Sequence, residues 1–451
     1  MPKLKLKTFP KGGIHPPEKK ITAKKTIVDF PLPKRVYIHV QQHIGAPAKI
    51  LVKPKDKVKV GQLIAEAGGF VSANIHSSVS GTVFKIQNIY DATGYKKQAI
   101  VIDVDGDEWE ESIDRSPELN ADIDNLTKEE IIDKIKQAGI VGLGGATFPS
   151  HVKLSIPTGK KCDILIINGV ECEPYLTADH RLMLEKTEEL LVGVRILMKA
   201  LEVDRAVIGI EANKPDAIEK LGKAAQKYNG ITVEALEVKY PQGGEKQLIK
   251  AITGKEVPSG GLPIDVGAVV HNVGTTFAVY EAVQKNKPLF ERIVTVTGEQ
   301  VKAPGNFRVR IGTPIAELIE QAGGLPKSAG KVISGGPMMG KALKNTDVPV
   351  GKGTSGVLIL PRKMTKRKEV QPCIRCGRCV NVCPQGLEPY LILSLAENKM
   401  WDEAEKAHAQ DCIMCGSCSF VCPSNRPLAD YTTYARSEVM NIMKQRRMAK
   451  K

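Results

Sequence analysis

Cys373-Ile374-Arg375-Cys376-Gly377-Arg378-Cys379-Val380-Asn381-Val382-Cys383-Pro384 decides how the C-terminal end of this 451-residue chain folds, and its spacing recurs in Cys412-Ile413-Met414-Cys415-Gly416-Ser417-Cys418-Ser419-Phe420-Val421-Cys422-Pro423. Both read C-x2-C-x2-C-x3-C-P, in which three closely spaced thiolates wrap one face of a cubane 4Fe–4S cluster. The proline after the fourth cysteine redirects the chain, so that this thiolate reaches across to the other cluster. The spacing therefore predicts Cys373, Cys376, Cys379 and Cys422 around cluster one, and Cys412, Cys415, Cys418 and Cys383 around cluster two. Two zinc sites would also accept four thiolates each, but zinc motifs present cysteine pairs separated by a long gap. A disulfide framework is disfavoured because the start, Met1-Pro2-Lys3-Leu4-Lys5, has no apolar core, and we expect no secretory leader. One-electron chemistry is the implication.

Composition narrows the rest. With 42% hydrophobic residues the chain can bury real cores in several domains, while 5% aromatics leave no rich stacking surface for single-stranded nucleic acid. The net charge of +15 includes Lys3, Lys5, Lys7 and Lys11 near the start and Lys444, Arg446, Arg447, Lys450 and Lys451 at the end. Such a surplus suits an acidic protein or an anionic membrane face; a merely soluble lysine-rich surface is the alternative. No DNA-reading motif accompanies the charge, so no nucleic-acid partner is expected. No apolar run approaches the roughly 18 residues of a membrane span.

Outward from the cysteines, the pattern predicts a multidomain α+β chain. Residues 1–35, basic and proline-rich, read as an extended arm. Residues 36–110 alternate apolar and polar residues between turns, as short strands do. This block resembles the barrel-sandwich hybrid of lipoyl and biotinyl carriers. The turn where those carry lysine reads Glu66-Ala67-Gly68-Gly69-Phe70-Val71, so the block is expected to be structural. Residues 125–285 read as α/β: a helix over Lys128–Ala138, a strand over Asp163–Asn168, a helix over Thr187–Ala200 and a strand over Arg205–Ile210. Residues 290–345 give strand, Pro-Gly turn, strand and proline-started helix, a small β-grasp pattern similar to the SLBB module. Ser334–Gly340 is expected to connect strands. Residues 365–448 form a helical two-cluster domain, with helices over Leu387–Gln410 and Leu428–Met448. Cys162 and Cys172 fit no cluster motif and read as small buried hydrophobes.

Glycines in Gly142-Leu143-Gly144-Gly145-Ala146-Thr147-Phe148-Pro149 leave room for backbone N–H groups to close on a phosphate or flat ring, which a Cβ would block. Taken alone this is a weak signal, lacking the strand–GxGxxG–helix context. It is joined by Asn168-Gly169-Val170-Glu171-Cys172-Glu173-Pro174 with Asp179-His180-Arg181, by Tyr240-Pro241-Gln242-Gly243-Gly244-Glu245-Lys246, and by His271-Asn272-Val273-Gly274-Thr275. Together these resemble the four flavin segments of the NADH-oxidising subunit of respiratory complex I. The opening Gly12-Gly13-Ile14-His15-Pro16-Pro17-Glu18 and the two ferredoxin-type cysteine runs are not features of that subunit. With the flavin segments they resemble the C subunit family of the Rnf complexes, membrane-associated ferredoxin:NAD+ oxidoreductases, over essentially the whole chain.

The resemblance implies noncovalent FMN, two 4Fe–4S clusters and NAD(H) as substrate. It implies an FMN site at Gly142, Gly144, Gly145, Lys153, Asn168, Glu171, Glu173, Gly243, Gly244, Glu245, Asn272 and Thr275. Glu171 is placed near the ring and Phe148 is the stacking candidate for nicotinamide or adenine; both are the candidate catalytic residues, with a core role for Phe148 equally open. The chain departs from the complex I pattern at Leu143, where that subunit has arginine, and at Gly244-Glu245, where it has paired glutamates. The implied partners are the iron–sulfur B subunit and the membrane subunits of such a complex, with ferredoxin reached indirectly, and the implied location is the cytoplasmic face of the membrane. Two alternatives stand: a cobalamin reductase of the propanediol-utilisation type, and a non-catalytic iron–sulfur relay that binds no nucleotide.

Overall fold

The computed structural model describes residues 6–449; the Met1–Lys5 opening and Lys450 and Lys451 lie outside the described residues. At its centre is a parallel four-stranded sheet of Ile164–Asn168, Ala206–Glu211, Ile231–Leu236 and Ala268–Asn272. In space the strands run third, second, first, fourth. The first strand is apolar throughout because both its faces are covered. Leu165 and Ile167 pack with Leu191, Leu197 and Val279 of the helices Thr187–Leu201 and Val273–Lys285. Ile164 and Ile166 face the other way, onto Leu248 and Ile252 of the helix Glu245–Thr253. The chain's winding reverses between the first and fourth strands, and in such sheets ligands bind in the crevice outside the strands' carboxyl ends at that reversal. Asn168 and Asn272, paired in register, end those two strands.

Three further units surround this sheet. The strands Arg35–His39, Lys96–Val104, Gly81–Tyr90 and Lys57–Val58 form one antiparallel sheet, and Lys49–Ile50, Leu63–Glu66 and Ile75–His76 form another. They close on a shared core that includes Val36, Ile38, Ile64, Ile75, Val83 and Ile100. A mixed six-stranded sheet packs on the helix Ile315–Gln321 through Val294, Val309, Leu318 and Val357. Its edge strand, Ile27–Asp29, comes from the N-terminal segment and pairs in parallel with Gly305–Arg310. The expected arm is thus extended but not free: it is built into this sheet.

In the C-terminal unit the single helix expected over Leu387–Gln410 is three pieces: Pro389–Glu397, Trp401–Lys406 and the 3-10 turn Ala409–Asp411. Lys399 takes a left-handed φ of 55° and its N–H meets Ala396 O at 3.2 Å, while Met400 N–H meets Leu395 O at 2.9 Å. This is a Schellman stop with lysine where glycine usually sits. Helical spacing without glycine or proline hid it from sequence reasoning. The terminal helix Leu428–Ala449 packs on these pieces through Ala435 and Val439.

Candidate nucleotide and cluster sites

The Gly142–Phe148 loop is a tight hairpin, Gly142 N–H meeting Phe148 O at 2.8 Å and Thr147 N–H meeting Gly142 O at 3.1 Å. Three contacts hold it over the crevice at the sheet's reversal point. Leu143 N–H donates to Thr275 Oγ1 at 2.8 Å, the buried Arg292 donates through Nη2 to Leu143 O at 2.7 Å, and Gly144 lies against Asn272. Below the loop, Asn272 Oδ1 caps the helix Val273–Lys285 by accepting Gly274 and Thr275 N–H groups. Such a capped N-terminus favours negative charge. Gly145 has φ +113°, and a Cβ there would meet nothing within 4 Å, so the loop's tip faces open space. A glycine loop open to solvent above a helix N-terminus at a switch point fits a flat, phosphorylated cofactor such as FMN.

The structure brings the expected site residues together, but many are bonded to one another. Asn168 accepts Val170 N–H and donates to Gly243 O at 2.8 Å, joining the second and third segments. Asn272 Nδ2 donates to Asp179 Oδ2 at 2.6 Å, and Thr275 is fully buried beneath the loop. Lys153 Nζ reaches Glu245 Oε1 at 2.6 Å and Val270 O at 2.8 Å. Glu171, itself at φ +46°, accepts Asp179 N–H at 2.8 Å and His180 N–H at 3.1 Å at the start of the helix Ala178–Glu185. These side chains shape the crevice more than they project into it. A Cβ on Gly244 would come 2.5 Å from Gln247 Oε1 and displace that side chain, and Gly243 sits against Cys172 and Val170. Phe148 is half-buried beside the loop.

Glu173 has a different set of neighbours. Its carboxylate is turned onto Met338 N–H at 3.0 Å and Met339 N–H at 2.8 Å, and burial pushes its pKa up to about 7 despite those donors. The glycine turn Ser334–Gly340 therefore does more than join strands: it grips the second segment. Met338 O also lies where a Cβ on Gly416 would be 3.2 Å away, next to the second cysteine run. Sequence reasoning missed this turn's second role, and missed Arg292 and Lys20, because their partners are more than a hundred residues away in the chain. Lys20 Nζ, within an N-terminal segment expected to be an arm, donates to Glu171 O, Glu173 O and Leu176 O at 2.7, 2.9 and 2.7 Å. Asp179, pushed up by burial and by Glu171, lies close enough to Arg292 for their charges to interact.

The two cysteine runs share one backbone shape. Arg375 and Gly377 in the first, and Met414 and Gly416 in the second, all take left-handed φ between 55° and 75°. That curl turns successive thiols inward. Cys383 lines one narrow cavity with Cys412, Cys415 and Cys418, and Cys422 lies close enough to Cys379 for its charge to raise that thiol's pKa. Leu387 N–H points at Cys383 Sγ at 3.3 Å and Met414 N–H at Cys412 Sγ at 3.4 Å, donors of the kind that tune cluster thiolates. Burial pushes the Cys383, Cys415 and Cys418 thiols up, so bare thiolates are disfavoured there and cluster iron would neutralise them. The four thiols that line that cavity are the donor set a cubane takes. The two predicted ligand sets differ in exposure: Cys373 and Cys376 of the first set are exposed, Cys383 and Cys415 of the second buried. Cys162 is buried in the core, while Cys172 is half-buried beside Gly243.

Both runs reach the crevice domain's edge, the second by a hydrogen bond from Tyr240 and the first through Val382 in a shared apolar cluster. Tyr240, in the third segment, is buried and donates through its hydroxyl to Cys415 O at 2.9 Å. Tyr240, Ile14 and Cys415 form a small apolar cluster with Cys172, Met338 and Val421.

Comparison with known proteins follows the same divisions. Family models match for an RnfC barrel sandwich hybrid domain over residues 7–107, a Nuo51 FMN-binding domain over 135–281, an SLBB domain over 293–342 and a 4Fe-4S dicluster domain over 372–426. The chain is 50% identical over 437 residues to the C subunit of the proton-translocating ferredoxin:NAD(+) oxidoreductase complex of Clostridium ljungdahlii, covering 96% of this chain and 94% of that one. It is 46% identical over 431 residues to the C subunit of the Na(+)-translocating ferredoxin:NAD(+) oxidoreductase complex of Acetobacterium woodii, covering 95% and 97%. It is 45% identical over 389 residues to the C subunit of the ion-translocating oxidoreductase complex of Rhodobacter capsulatus, covering 84% and 73%.

Proposed function

Because the chain belongs to the C subunit family of ion-translocating ferredoxin:NAD(+) oxidoreductase (Rnf) complexes, we propose a defined electron route through it, from the exposed first cluster to the buried second and on to the nucleotide crevice. The protein is an electron-transfer subunit of such a complex, with an FMN-binding domain and a two-cluster 4Fe–4S domain. FMN, when bound, would exchange a hydride with NAD(H) and single electrons with the clusters, converting between two-electron and one-electron traffic. The names of the relatives do not favour the cobalamin-reductase alternative.

One observation carries the route: Cys415 of the second run is buried against the third flavin-type segment through Tyr240, while Cys373 and Cys376 of the first are exposed. In this reading Cys412, Cys415, Cys418 and Cys383 hold the cluster next to the flavin. Cys373, Cys376, Cys379 and Cys422 hold the cluster at which electrons arrive or leave. The crevice residues have distinct duties. Gly142, Gly144 and Gly145 let the backbone approach the cofactor, and the helix start at Val273, capped by Asn272, lends it a positive dipole end. Asn168, Glu171, Asn272 and Lys153 lock the four segments together. Phe148 gives an apolar wall for nicotinamide or adenine.

At the other end, the first run is flanked by exposed Arg362, Lys363, Lys366, Arg367, Lys368 and Arg375, with Ile374 67% and Val370 52% exposed between them. Exposed apolar side chains along a mostly basic stretch, Glu369 apart, suit an acidic iron–sulfur partner, the iron–sulfur subunit of the complex, through which ferredoxin would be reached. Among the described residues no helix is long and apolar enough to cross a membrane. Attachment at the cytoplasmic face through partner subunits fits that.

An anaerobic titration with NADH tests the reading. We expect both clusters to be reduced in the purified chain, with about eight irons and one noncovalent FMN per protein. A chain that holds both clusters but binds neither FMN nor NADH would leave the relay alternative as the better account.

A further inference from the structure

The segment Gly12–Lys20 touches both redox sites. At one end Gly13 N–H donates to Val382 O at 2.9 Å, in the first cysteine run, just before Cys383. Gly12 (φ +70°) lies so close that a Cβ would be 2.5 Å from Cys383 O, and Gly13 takes φ +92°. In the middle, Ile14 and Tyr240 exchange two backbone hydrogen bonds, both 2.8 Å, so that the strap runs as a strand along the residue whose hydroxyl holds Cys415. At the other end Glu18 O accepts Tyr175 N–H at 2.8 Å, and Lys20 gathers the Glu171, Glu173 and Leu176 carbonyls.

Those last contacts fall on a stretch that needs them. Glu171 and Tyr175 both take left-handed backbone, at φ +46° and +70°, a conformation that crowds the Cβ of an L-residue. Burial, with Lys214 nearby, lowers the Lys20 pKa to about 8 against the opposing charges of Glu171 and Glu211, and its ammonium is bonded to the three carbonyls. Between the two anchors the strap roofs a cavity of about 270 Å³ lined by His15, Glu18, Lys20, Cys172, Glu211 and Tyr240.

We propose that Gly12–Lys20 is a clamp that fixes the second flavin-type segment against the Cys383–Cys415 cluster site, and that its residues are positioning residues for electron transfer between the two. The cluster-transfer part rests on the route proposed above; the mechanical part does not. The test uses the full chain with its cofactors and two variants, Gly12→Ala at the cluster end and Lys20→Met at the flavin end. Amide hydrogen exchange by mass spectrometry is read over residues 171–176, 238–242 and 380–386. NADH-driven bleaching of the clusters is followed by stopped flow, alongside NADH:ferricyanide activity. Each variant is expected to raise exchange at both ends and to slow cluster bleaching about tenfold or more, since small displacements of reacting groups cost that much. Ferricyanide activity and iron content should hold for Gly12→Ala. Wild-type exchange at the far end in both variants, or cluster bleaching at wild-type rate, would overturn the clamp. Loss of iron from Gly12→Ala with exchange over 171–176 unchanged would overturn it too, because the strap would then serve the cysteines alone. If the wild-type clusters do not bleach with NADH, the route fails and the exchange data alone decide the clamp.

Discussion

Single residues carry the chemistry through backbone freedom and buried charge. Gly145 stands at φ +113° with open space where a Cβ would go. Gly145→Val should therefore cost the fold about 1–3 kcal/mol of backbone strain, yet the new side chain would meet the cofactor and no protein atom. We expect flavin absorbance to disappear from the purified variant while iron stays at about eight per chain; stoichiometric FMN in that variant would refute the loop's assignment. Glu173 makes a pH prediction. Its folded pKa of about 7 lies above the ordinary value of 4.5, so between those values the folded chain holds a proton that the unfolded chain has released. Stability from this group is therefore lost as pH rises from about 4.5 through 7. Urea midpoints at pH 5 and pH 8 should fall more for the wild type than for Glu173→Gln. Equal falls would mean that this carboxylate ionises normally.

Whole elements decide which residues meet. The cysteine runs were legible because their spacing is itself the ligand geometry, and the crossing of Cys383 to the second run followed from Pro384. Cys383→Ser should accordingly empty the buried cluster and spare the exposed one, cutting iron from about eight to about four per chain. Electron paramagnetic resonance showing loss of the exposed cluster instead would reverse the assignment. The parallel strands were equally readable, since Ile164–Ile167 is apolar on both faces. The break at Lys399 was not, because a left-handed lysine has no signature in composition. Nor was the double duty of Ser334–Gly340, whose hold on Glu173 spans 165 residues of sequence.

At the scale of the molecule, charge and burial are divided between the ends of the route. Cys415 of the second run is buried toward the crevice domain; the segment ahead of the first run carries exposed Arg367 and Lys368, Arg367 reaching, among the described residues, only Asp430 at 3.8 Å. Reversing both to glutamate should leave NADH-driven cluster reduction intact and slow electron exchange with an acidic ferredoxin-type partner, an effect shrinking as salt rises toward a Debye length of about 3 Å at 1 M. Unchanged partner kinetics at low salt would move the docking face elsewhere.

The sequence by itself determined the cofactor classes and the order of the domain types, because each of these is written in local spacing: thiolate intervals, glycine density and apolar periodicity. Only the tertiary structure decided that Tyr240 meets Cys415, that Asn168, Glu171 and Asn272 join the crevice segments, and that an apparent N-terminal arm touches both Val382 and the Glu171–Leu176 stretch. Those facts depend on contacts such as Gly13 with Val382, Lys20 with Glu171 and Arg292 with Leu143. Buried donors and acceptors must find partners wherever the fold brings them, and neither partner's local sequence says where the other will be.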